Sequence, residues 1–96
     1  MKTVVRPIDG VFALGRLLAT PGIRETIPAR EQVAALRRHA QGDWGEVSEH
    51  DWQANEDALV GGARILSAYV SGTGEKFWII TEADRSATTM LLPDEY

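Results

Sequence analysis

From Ala63 onward the chain alternates. Ile65, Ser67 and Tyr69 fall on one side, and Arg64, Leu66, Ala68 and Val70 on the other, the period of two that a half-buried strand shows. Ser71-Gly72-Thr73-Gly74 reads as a tight turn, because two glycines accept positive φ. Lys76 to Thr81 is rich in aromatic and β-branched residues, with Phe77, Ile79 and Thr81 sharing one face and Trp78 and Ile80 the other. Glu82 to Ser86 is a polar turn, and Ala87 to Leu92 makes a further strand that Pro93 stops. Connections this short predict antiparallel neighbours.

The front half reads as helices. Thr20-Pro21 supplies an N-cap followed by proline at the first helical position, opening a helix of one or two turns. A longer helix runs from Pro28 to about Gln41, with Val33, Leu36 and Ala40 as its apolar stripe and Gly42 closing it. Arg37, Arg38 and His39 lie in its last turns, where positive charge complements the helix dipole. Ser48-Glu49-His50-Asp51 starts a third helix that ends at Gly61-Gly62, with Trp52, Asn55 and Leu59 as its inward positions. Val11 to Leu14 fits either a fourth, edge strand or the start of a helix running through Leu17 and Leu18. The fold class is therefore α+β: N-terminal helices packed on a C-terminal antiparallel meander of three strands, or four. Residues 1–10 read as a flexible leader and 11–96 as one domain.

Charge changes this picture. The formal net charge is −4, but residues 1–42 hold seven Lys/Arg against three Asp/Glu, and the remainder holds three against eleven. Between Asp43 and Ala63 there are six acids and no Lys or Arg. Such a run is ordinarily a solvated face; its functional counterpart is a surface that attracts a basic partner. Trp44, in a glycine-flanked turn among these acids, is the expected exposed anchor, and Trp78 the expected core tryptophan.

Candidate chemistry is sparse. With no cysteine there is no disulfide, thiolate site or Cys nucleophile. His39 and His50 lack metal-ligand spacing, so no metal or cofactor is expected. No G-x-S-x-G is present, Ser67 reads as a strand residue, and Gly72-Thr73-Gly74 opens no helix that would complete a phosphate loop. The absence of a long apolar run and of a signal-peptide core points to a cytoplasmic protein without a membrane span. The layout of helices before a meander is like that of metal-free ribonuclease toxins of the barnase/colicin/RelE-like group. On that reading Arg64, Tyr69, Lys76, Arg85, Thr88 and Thr89 face one groove, with Arg64, Lys76, Arg85 and Thr88 as the catalytic set.

Several stretches together resemble a family of small uncharacterised proteins of bacterial plasmids, integrative elements and prophages. They are Gly42-Asp43-Trp44-Gly45, Asn55, Ala58-Leu59, Arg64 to Tyr69, Trp78 to Ser86 and Leu91 to Tyr96. Members are often labelled plasmid-related proteins or a type I restriction enzyme subunit. The second label is not carried over, because the chain has neither the length nor the motifs of a methyltransferase. The resemblance spans 12–96 and implies a mobile-element setting without bringing a catalytic residue.

The favoured reading is a non-enzymatic accessory protein that binds another protein through Asp43, Trp44, Glu46, Glu49, Asp51, Glu56 and Asp57. In its sharper form it inhibits a host defence nuclease, of anti-CRISPR or anti-restriction type, by occupying a basic nucleic-acid channel; it binds no DNA itself. The alternatives are the ribonuclease above and a homodimeric scaffold module that pairs through an exposed sheet edge.

Overall fold

A computed structural model describes residues 10–96; the remainder of the expected leader, residues 1–9, lies outside the described residues. The chain is α+β. In order it forms β1 (Arg16–Ala19), α1 (Pro21–Thr26), α2 (Ala29–Ala40), α3 (Glu49–Gly61), β2 (Ile65–Val70), β3 (Lys76–Thr81), β4 (Ala87–Leu91) and a closing 3-10 turn, Pro93–Glu95. The four strands lie in the order β1-β4-β3-β2. β2, β3 and β4 form the expected antiparallel meander, with Ser67 opposite Ile79 and Ile79 opposite Met90.

The sheet is mixed rather than wholly antiparallel, because β1 pairs parallel with β4. Neither expectation for Val11 to Leu14 is met: the edge strand lies later, at Arg16–Ala19. Gly15 explains the shift. It takes φ +66° and passes so close to Ser86 that a Cβ would sit 2.4 Å from that backbone, so the chain is redirected there and joins β4 only from Arg16. Residues 10–14 instead cross the sheet end, held by the Val11 amide on the Ala40 carbonyl at 2.8 Å.

The helix starts follow the sequence. The Thr20 hydroxyl accepts the Ile23 amide, and the Ser48 hydroxyl accepts the Asp51 amide at 3.1 Å. Gly42 and Gly62 take positive φ just beyond α2 and α3. The inward faces match expectation at Leu36, Ala40, Asn55 and Leu59 and differ at Val33 and Trp52. In α2 the buried residues are Ala35, Leu36, His39 and Ala40, and Val33 is exposed. In α3 only Asn55 and Ala58 are buried, and Trp52 is on the surface.

One sheet face carries Ile65, Ser67, Tyr69, Phe77, Ile79, Thr81, Thr88 and Met90, all buried. The main core joins Ile23 and Ile27 at α1, Ala35 and Leu36 of α2, and Tyr69, Phe77, Ile79 and Met90 of the sheet. A smaller cluster of Trp44, Ala58 and Ile65 gathers Phe12, Val47 and Leu59 under α3. Trp78 lies on the opposite sheet face, half-buried against Tyr96.

Candidate interaction surface

The six acids of the Asp43–Ala63 segment are all exposed. Asp43 is the one drawn into an ion pair among the described residues, with Arg38 Nε at 2.8 Å. The hydrogen bond from Arg38 holds the Asp43 carboxyl below its usual range and pushes the guanidinium up. Glu56 accepts the Trp44 indole N–H at 2.8 Å, and Asp57 accepts the Gln53 amide at 3.0 Å; neither of these partners is a cation. On α3, Asn55 and Ala58 define the inward side. At 100° per residue Glu49, Gln53, Asp57 and Val60 fall on the far side, with Trp52 on its flank beside Val47.

Trp44 corrects the expected contact set. It is wholly buried, with its indole against Phe12 and His39, and cannot anchor a partner. The segment around it is sheet material. The Trp44 carbonyl accepts the Ala68 amide at 3.1 Å and the Glu46 amide reaches the Ala68 carbonyl at 2.7 Å, which draws the indole inward. The exposed tryptophan is Trp52.

The ribonuclease groove does not form. Thr88 is buried, opposite Thr81, while Lys76 lies five residues back along β3, about 17 Å away at the rise of a strand. Tyr69 is buried and donates to the Asp43 carbonyl; burial pushes its phenol up. Arg64 donates to the Tyr96 hydroxyl. Arg85 caps α3 instead of facing a phosphate. Its guanidinium donates to the carbonyls of Ala58 at 2.9 Å, Ala63 at 2.7 Å, Glu82 at 3.1 Å and Ala83 at 3.2 Å. Its backbone is left-handed, φ 62°, rare for a residue with a Cβ, in the turn closed by its own amide on the Glu82 carbonyl at 2.9 Å.

A buried polar chain was not anticipated. His39 Nδ1 lies 2.6 Å from Ser67 Oγ and Nε2 2.8 Å from Thr81 Oγ1; Thr81 Oγ1 lies 2.7 Å from Thr88 Oγ1, which donates to the Leu14 carbonyl at 2.7 Å. Direction follows from the end of the chain. A carbonyl only accepts, so Thr88 spends its proton on Leu14, Thr81 donates to Thr88, and His39 Nε2–H donates to Thr81. Nδ1 is then the acceptor for the Ser67 hydroxyl. Burial pushes the imidazole down to about 3, so it is neutral and does not serve the helix dipole as a cation. A serine beside a histidine suggests nucleophilic chemistry, but Ser67 and His39 are sealed and this histidine is too weak a base; the chain is structural. The signal was present: His39 lies between Leu36 and Ala40 on the inward stripe, and Ser67, Thr81 and Thr88 occupy inward strand positions.

Among the described residues no group of three His, Cys, Asp or Glu is placed to hold a metal ion, and no helix is long and apolar enough to cross a membrane. Compared with known proteins, the chain matches no family model, no curated protein and no solved structure.

Proposed function

We propose that this is a non-enzymatic protein-binding module whose contact element is α3, and that its partner presents a basic surface of the kind that holds nucleic acid. The observation that carries this reading is the exposure of α3. Of its thirteen residues two are buried, and its outward side repeats Glu49, Gln53 and Asp57 at four-residue spacing with Trp52 and Val60 beside them. A helix that gives so little to its own core is free to give its surface to another. Carboxylates steer a basic partner by long-range attraction, and an exposed tryptophan supplies desolvated contact area. In the sharper form the partner is a mobile-element target such as a defence nuclease, and the acids Glu46, Glu49, Glu56 and Asp57 stand where nucleic-acid phosphates would lie, whereas Asp51 lies on the Asn55 side of α3, beside Arg64 and Leu66.

The test is retention of partners from a bacterial lysate on the wild-type chain and on a Glu49→Lys/Asp57→Lys variant. The wild type should retain a nucleic-acid-binding protein at low salt, lose it as salt screens the attraction, and release it to added duplex DNA. The variant should retain none. Equal retention by both chains, or no such protein at any salt, contradicts the proposal.

A further inference from the structure

The two edges of the sheet are finished differently. At the β2 edge, the Asn55 side chain accepts the Leu66 amide at 3.1 Å and donates to the Leu66 carbonyl at 2.7 Å, as a neighbouring strand would. Two residues on, both backbone groups of Ala68 are taken by the Trp44–Glu46 segment. That edge is covered at Leu66 and Ala68. At the other edge, β1 gives its Arg16 amide to the Ser86 carbonyl at 3.0 Å, and the Thr20 amide goes to Met90 at 3.1 Å. The alternation of a strand then turns the Leu17 and Ala19 N–H and C=O groups away from β4, and no strand among the described residues lies beyond them. Leu17 and Leu18 flank this edge at 50% and 39% exposure.

We infer that β1 pairs with β1 of a second copy of this chain, antiparallel about a two-fold axis, joining two four-stranded sheets into one of eight. Symmetry and the outward groups fix the register. Leu17 and Ala19 carry the outward backbone groups, so Leu17 of one copy exchanges hydrogen bonds with Ala19 of the other, and the two Leu18 side chains meet at the axis. In this register Arg16 stands opposite Thr20 of the other copy. Thr20 is where a carboxylate already waits: its hydroxyl donates to Glu95 Oε1 at 2.5 Å, and the Gly22 amide holds Oε2 at 3.0 Å. Arg16 is exposed and in no ion pair among the described residues. Pairing therefore brings Arg16 to the partner's Glu95 twice, once on each side of the axis. This complementarity argues for a second copy over an unrelated strand. The dimer goes beyond the binding reading above and does not depend on it: α3 packs on β2, at the far side of the sheet from β1, so both acidic helices stay free.

Sedimentation velocity over a concentration series, with circular dichroism to show that each variant is folded, tests the inference. The wild type should pass from monomer to dimer. Leu18→Lys should weaken the dimer at least about tenfold, because like charges meet at the axis. Arg16→Gln and Glu95→Gln should each weaken it, and the double variant should be no weaker than either alone, since Gln at 95 keeps the acceptor for Thr20. Hydrogen exchange should show Leu17 and Ala19 protected in the dimer and open in the monomer. A monomer at every concentration, protection of those amides in a monomer, or a dimer indifferent to Leu18→Lys would each overturn it.

Discussion

His39 is buried between α2 and the sheet, with both ring nitrogens on hydroxyls. Its ring is neutral in the fold, at about 3, against about 6.5 in the unfolded chain. As pH falls below 6.5 the unfolded state takes up a proton that the folded state refuses, so stability falls with pH until about 3 and is unaffected by this group above 6.5. Between pH 7 and pH 5 urea unfolding should lose about 2 kcal/mol of stability from His39 alone. The carboxylates held low, Asp43 among them, add losses of the same sign at lower pH, so the comparison is with His39→Gln, whose curve should be flat across that window. A wild-type curve parallel to that of the variant would contradict the buried neutral ring. Trp44 has a comparable grip on the smaller core. Trp44→Ala should cost about 3–5 kcal/mol, as for other fully buried large side chains, whereas removal of an exposed anchor would leave the melting temperature unchanged. The sequence could not distinguish these outcomes for Trp44. Glycines and acids on either side suggested a solvated turn, and only the pairing of its backbone with Ala68 turns the indole inward.

At the scale of elements, the meander, the capped helix starts and the glycine stops were legible, because each rests on local rules: strand alternation, hydroxyl capping and positive φ. β1 was not, because a parallel edge strand is defined by a partner some seventy residues away, Arg16 opposite Ala87. Its position depends on Gly15. Gly15→Ala should push the chain off Ser86 and release β1 from β4, seen as loss of exchange protection at Leu18 and Thr20 while β2 and β3 keep theirs. The covered edge depends on Asn55, whose buried amide stands in for a strand. Asn55→Ala leaves the Leu66 amide and carbonyl without their partner and should cost about 1–3 kcal/mol. Little loss, with Leu66 still protected, would mean that α3 seals this edge by packing alone. On α3 the sequence places Asn55 and Leu59 correctly on the inner side, and it misplaces Trp52 because the apolar stripe is narrow and the other inward position is the small Ala58.

For the whole molecule, the acidic run of the sequence is gathered on α3 and on the segment that leads into it. The acids of α3 and its approach lie over the β2 side of the sheet, and the cations proposed for a phosphate groove are dispersed to separate tasks. Arg85 caps a helix, Arg64 meets Tyr96, and Lys76 is exposed at a strand start. The segment's charge was readable in advance; its geometry was not, because carboxylate spacing on a helix has meaning only once the inward side is known. On the proposed function, the outward side of α3 meets a basic protein. The most direct measurement is photo-crosslinking in lysate from benzoylphenylalanine placed at Gln53, with Val70, an exposed position at the end of β2, as the comparison. Crosslinks from position 53 to a nucleic-acid-binding protein, lost at high salt and absent from position 70, are the predicted result. Salt-insensitive crosslinks, crosslinks from position 70 alone, or none from either position would contradict it.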